Sequence, residues 1–145
     1  MSEEFEKRTS GITRGVGVLL VSTEGKLIGH LRDNTPGIDC PGMIGTFGGG
    51  IEEGELPIEA AVRELREETN LGFKAEELRP FMCYKVHQEL SGRDHVLCFF
   101  IAEKGVDTDS LEVYEGAGHY IIESPDDPLI CAPALPVFRR WFDSV

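Results

Sequence analysis

The sequence predicts an α/β domain in which β-strands surround one central and one terminal helix. Three observations carry this reading. Short apolar, β-branched runs bounded by Gly, Pro, Asn and Asp recur in both halves of the chain. One amphipathic helical pattern interrupts them after residue 56, and a second closes the chain. At 145 residues a single core is the simplest arrangement, with residues 1–145 as one domain and no room for another.

The elements follow in order. Residues up to about 13 are polar and read as a loose arm or an early edge strand. The run GVGVLLV at 15–21 and the run LIGHL at 27–31 flank the turn STEGK, which together form a hairpin pattern. Residues 32–45 are crowded with Pro, Gly, Asp and Asn and read as an irregular loop, long enough to be functional. A glycine-rich turn then leads to Pro57, which suits the first turn of a helix because its missing N–H is not needed there. The helix starts near Leu56, and Ile58, Ala61, Val62, Leu65 and Thr69 recur at three- and four-residue spacing as an apolar stripe. The pattern fails at 70–72, where Asn70 and Gly72 are suited to a left-handed cap. Strand-like runs at 78–87 and 94–102 surround the turn-rich ELSGRD as a second hairpin. The segment VYEGAGHYII joins a glycine-rich loop to an apolar run. Leu135, Phe138, Trp141 and Phe142 stand at helical spacing over 134–142.

Composition narrows the function. With 14 Lys plus Arg against 26 Asp plus Glu the formal charge is −12, which repels nucleic-acid polymers and suits hard cations that take oxygen ligands. Cys40, Cys83, Cys98 and Cys131 lie far apart with no C-x-x-C pair, and read as reduced, mostly buried thiols. The N-terminal MSEEFEKRTS has no apolar core, and no stretch approaches the length of a membrane span, so a cytoplasmic location is the default and no membrane partner is expected.

The chemistry concentrates at one place. On a helix Glu64, Glu67 and Glu68 fall at i, i+3 and i+4 and share a face. Arg66 points away from them and Arg63 borders them, which makes a metal ion the better counter-charge. A bare E-x-x-E-E is most often a solvated surface, but this one stands in a longer frame: Gly49, five residues, Glu55, seven residues, then Arg63-Glu64-Leu65-Arg66-Glu67-Glu68-Thr69-Asn70-Leu71. That frame resembles the Nudix box, G-x5-E-x7-R-E-U-x-E-E-x-G-U with U aliphatic, and departs from it only at Asn70, where the family has glycine. Asn is the next best residue for a left-handed turn and preserves it. Phe47 and Gly48 replace the common Trp and Pro before the box, so the loop at the substrate mouth is shaped differently.

The resemblance implies a Nudix-type α/β/α sandwich with a mixed central β-sheet, and a pyrophosphohydrolase. It implies that Glu64, Glu67 and Glu68 coordinate Mg2+ or Mn2+, with Glu55 as a further or outer ligand, and that Arg63 orients a glutamate and steadies the loop and helix. Phe47, Gly48, Gly49 and Gly50 then lie at the substrate mouth, and Arg32 resembles the arginine that many members turn toward phosphate. A further glutamate completes the site or acts as base; Glu115 is the candidate, with Glu112 and Glu103 as rivals. Among the histidines His119 follows the Glu115 loop, while His30, His87 and His95 read as structural, and most of the aromatic residues must build the core. The implied reaction is attack of water at phosphorus in a nucleoside diphosphate linked to another moiety, in a nucleotide sugar or a nucleoside triphosphate. The alternative is a catalytically idle domain that binds a nucleotide as a sensor. A homodimer is the one protein assembly entertained.

Overall fold

The computed structural model describes residues 13–88 and 93–145; the expected N-terminal arm lies outside them. Strand β1 (Thr13–Val21) is the centre of a seven-stranded mixed sheet. Along one edge it pairs in parallel with β6 (Arg93–Ala102), which pairs antiparallel with β5 (Leu78–Gln88). Its other edge is shared. Antiparallel to its first half runs β4 (Phe47–Gly50), and its last residues meet β2 (Leu27–Leu31), so the 15–31 hairpin forms as expected but splays apart beyond Leu20 and Ile28. Strand β3 (Ile44–Gly45) stays on β2, and β7 (Gly118–Ile122) covers the other edge of β2. Between β3 and β4 the chain changes partner at Thr46.

Side-chain alternation gives the sheet two apolar faces. Val16, Val18, Leu20, Cys98, Phe100 and Ala102 face helix α1 (Pro57–Glu68), and Leu19, Phe99 and Ile101 face helix α2 (Leu135–Asp143). This is the α/β/α sandwich with a mixed sheet that the resemblance implied. Helix α1 begins where Pro57 predicts, with Glu59 Oε1 accepting the Leu56 N–H at 2.9 Å. Ala60 and Ala61 are fully buried, and two such small residues let the helix lie close on β1 and β4. Ile58 and Val62 are only half-buried, so the seam is rotated toward Ala60 relative to the predicted stripe. Gly17 on β1 answers a similar constraint on the opposite face, since a Cβ there would overlap the Thr46 hydroxyl and sit 2.6 Å from the Phe99 ring.

Two expectations are corrected. All four cysteines are paired, Cys40 with Cys131 and Cys83 with Cys98. Distance along the chain, 91 and 15 residues, says little about distance in the fold: Cys83 and Cys98 oppose each other across β5 and β6, and Cys131 sits on Ile44, just past the loop that carries Cys40. Nor does α1 end in a left-handed turn. Thr69 is extended at φ −141°, and Cys40 is the only described non-glycine residue with positive φ. No helix among the described residues is long and apolar enough to cross a membrane.

Gly17→Ala should lower stability by about 1–3 kcal/mol, the usual penalty of overpacking, whereas Gly25→Ala, in open space at φ +80°, should lose only about 1 kcal/mol. Urea unfolding of the two variants measures the difference.

Candidate active site

The site is built around the Arg63 guanidinium. Its Nε and Nη2 donate to the two oxygens of Glu55 at 2.8 and 2.9 Å, Nη2 also to the Gly50 carbonyl at 2.9 Å, and Nη1 to Glu64 Oε1 at 2.9 Å. Nη1 lies 3.4 Å from both oxygens of Glu67. Arg63 is thus the counter-charge that the helical angles assigned to a metal: they locate a Cα, and a four-bond stem reaches around it. Arg63 holds the Glu55 carboxyl below its ordinary range, helped by the Glu52 N–H that Glu55 Oε1 accepts at 3.0 Å.

Glu64 and Glu68 point inward, under β4. The Glu64 carboxylate would lie 2.6 Å from any Cβ at Gly49, so the glycine is required by contact. Gly48, at φ +149°, has no space for a Cβ against the Val16 carbonyl, and its N–H donates to Glu68 Oε1 at 2.7 Å. Glu68 is 4 % exposed. Burial, augmented by the charges of Glu64 and Glu115 and offset by the Gly48 N–H and Arg32, pushes its pKa up to about 8. Burial also raises Glu64, against the pull of Arg63. Glu67, with a side chain 52 % exposed, faces solvent.

The remaining candidates separate clearly. Glu115, on the loop before β7, acts through its charge on both Glu64 and Glu68, while Glu103 pairs with Arg79 at 3.4 Å. Arg32 is half-buried, donates from Nε to the Asp39 carbonyl at 2.8 Å, and its field reaches Glu68. Phe47 is fully buried and stacks on His30 with centroids 4.6 Å apart, which makes it a wall of the core behind the glycines. Gly50 contributes the carbonyl that holds Arg63. His119 pairs with His30 across β2 and β7.

Asn70 and His30 make contacts beside the site that the sequence reading, as a turn former and a structural histidine, did not anticipate. The Asn70 side chain donates to the Ser110 carbonyl at 2.9 Å and accepts the Glu112 N–H at 2.9 Å, while its backbone N–H meets the Glu112 carbonyl at 3.1 Å. A glycine could make only the last of these. His30 is 5 % exposed and donates from Nε2 to the Glu115 carbonyl at 2.8 Å. Burial lowers its pKa and raises that of Glu68, and the two side chains approach to 3.7 Å. Neither contact has a signal in the sequence, because the partners are 40 to 85 residues away.

Residues 11–119 match the NUDIX domain family. The chain belongs to the Nudix family. An RNA pyrophosphohydrolase of Bartonella bacilliformis is 35 % identical over 102 residues, which cover 67 % of this chain and 59 % of that protein; the chain therefore spans under two thirds of this relative's length. The fold is shared with the MutT protein of Methanosarcina mazei Go1, at TM-score 0.70 and 19 % identity over 92 % of this chain and 94 % of that one. It is shared too with a bifunctional NMN adenylyltransferase/ADP ribose pyrophosphatase of Francisella tularensis complexed with AMP and a manganese ion, at TM-score 0.63 and 15 % identity over 98 % and 45 %.

The donor set suits a divalent cation. Carboxylate oxygens are the ligands that Mg2+ and Mn2+ prefer, Glu68 is buried under the charge of two others, and Gly49 leaves room beside Glu64 that a side chain would fill. As they stand, with Arg63 holding Glu64 and Glu67, no three described carboxylates, imidazoles or thiolates of the Nudix site form a ready metal cluster.

Two outcomes are expected. Asn70→Gly, although it restores the family's residue, should lose about 1–2 kcal/mol from two side-chain hydrogen bonds and show a lower Tm. For Glu68 the folded-state pKa lies above the ordinary value, so the folded state binds the extra proton. In EDTA-treated protein its contribution should therefore fall as pH rises between about 4.5 and 8, and Glu68→Gln should flatten that part of the Tm profile.

Proposed function

We propose that this chain is a Nudix pyrophosphohydrolase that cleaves a nucleoside diphosphate linked to another moiety, in a nucleotide sugar or a nucleoside triphosphate, by attack of water at phosphorus. Glu64, Glu67 and Glu68 hold Mg2+ or Mn2+. The observation that carries this reading is Glu68: a carboxylate 4 % exposed, under the charge of Glu64 and Glu115, is most readily kept where a cation offsets it. Once bound, a divalent ion neutralises diphosphate oxygens and lowers the pKa of a bound water.

The chain's own residues do the rest. Arg63 holds Glu64 and Glu67 in place and ties them to the 50–55 loop. Glu55, with both oxygens on Arg63, acts by fixing that arginine. Gly48, Gly49 and Gly50 keep the floor free of side chains, so a diphosphate can approach the carboxylates closely. Arg32 offers its guanidinium to phosphate oxygens on the side of Glu68, and Glu115 takes the proton of the attacking water. Similarity to the RNA pyrophosphohydrolase of Bartonella bacilliformis supports pyrophosphohydrolase chemistry, and the charge of −12 favours a small nucleotide over RNA. No observation favours the idle-sensor alternative.

Nucleoside triphosphates, nucleotide sugars and 5′-triphosphorylated RNA, each assayed with Mg2+ and with EDTA, test the proposal. Turnover of a small nucleotide that EDTA abolishes is expected. Turnover of RNA alone would overturn the substrate class, and nucleotide binding without turnover would point to the sensor. Glu67→Gln should cut turnover by about 100-fold or more with an unchanged circular dichroism spectrum.

A further inference from the structure

His30 is an unusual occupant of its position. The neighbouring inward residue of β2 on the same face, Ile28, is apolar, and a buried imidazole is disfavoured unless both nitrogens are used. Here both face the candidate site. Nε2 is 2.8 Å from the Glu115 carbonyl, which can only accept, so the proton sits on Nε2. Nδ1 is turned to Glu68 Oε2 at 3.7 Å, and stacking on Phe47 at an interplanar angle of 12° fixes the ring.

The loop is shaped to receive this contact. Gly116, at φ +79°, has no room for a Cβ, which would lie 2.6 Å from His30 Nε2 and 2.7 Å from the Leu31 carbonyl. On either side the Tyr114 N–H donates to the Glu68 carbonyl at 2.7 Å and the Ala117 N–H to the Leu31 carbonyl at 2.9 Å. The loop is thereby pinned at both shoulders, and His30 holds the peptide between them, the one that carries the Glu115 side chain.

The geometry points to His30 as a positioning residue that, through its Nε2–H bond to the Glu115 carbonyl, sets the Glu115 carboxylate opposite Glu64 and Glu68. This deepens the proposed hydrolase reading and rests on it. A core-filling histidine would serve stability alone; a positioning one acts on turnover while leaving substrate affinity intact. It reaches no substrate itself.

Two substitutions separate these roles. His30→Phe keeps the stack on Phe47 but has no donor, and His30→Gln carries an amide N–H near the place of Nε2. Loss of a supporting contact of this kind typically reduces activity by about 10- to 100-fold. That fall is expected in kcat for His30→Phe, with KM changed by less than about threefold and His30→Gln recovering most of the loss. In metal-free protein, amide exchange at Gly116 and Ala117 should accelerate in His30→Phe and return toward the wild-type rate in His30→Gln, with the β1 and β6 amides unchanged. If His30→Phe does not fold, Gly116→Ala, which forces the loop off His30, should give the same kcat loss. Unchanged kcat in either variant, equal losses in Phe and Gln, or unchanged exchange at Ala117 would overturn the role. Absence of turnover in the wild-type protein would overturn the hydrolase reading instead, along with the kinetic half of this proposal, and the exchange rates would still decide whether the contact holds the loop.

Discussion

One guanidinium holds the loop and helix of the site in register. Arg63 grips Glu55, the Gly50 carbonyl and Glu64 at once, and its planar fork of donors can do so where an ammonium could not. The grip is partly solvated, so each contact contributes less than a buried charge-assisted bond would. Its value is geometric. With Glu64 held toward the sheet, the strand beside it must lack a Cβ at Gly49, and Gly48 must lie tight on β1 to reach Glu68. The glycine run, the inward turn of Phe47 and the stacking of Phe47 on His30 follow in order from that placement.

A second constraint works against stability. Glu68 is buried with one backbone N–H as its close partner, and Glu64 and Glu115 act on it with like charge. Packing of Ala60, Ala61 and Leu65 against the sheet offsets this, at roughly 25 cal/mol per Å² of apolar surface removed from water. A site where burial and charge conflict is where function is expected to reside.

What the sequence made legible was local. The Glu55, Arg63, Glu64, Glu67 and Glu68 frame spans 14 residues within one loop and one helix, and it was legible through its resemblance to the Nudix box, where helical geometry alone pointed to a solvated face. Both hairpins and both helices announced themselves through periodicity and turn residues. The rest depended on partners that no period encodes. Pairing of β1 with β6 joins residues 13–19 to 95–101, the Cys40 to Cys131 link spans 91 residues, and Asn70, read as a turn former, instead clasps 110–112 with its side chain. The grip of Arg63 on the glutamates was implied by the resemblance but not by the helical angles, since a wheel diagram has no way to show where a long side chain folds.

The parallel pairing of β1 with β6 bears on how the site comes into being. Beyond Glu64, one turn back on its own helix, the residues that crowd Glu68 arrive on separate segments: His30 on β2, Gly48 on β4 and Glu115 before β7. Helix α1 lies inside the crossover that this pairing closes. A twelve-residue helix cut from the chain would be marginal in water, and its carboxylates would stay hydrated. Closing so long a loop comes before the contacts it brings together can stabilise it. The burdened carboxylate is therefore a product of long-range contacts, and its unfavourable electrostatics exist only where the sheet has brought those segments together.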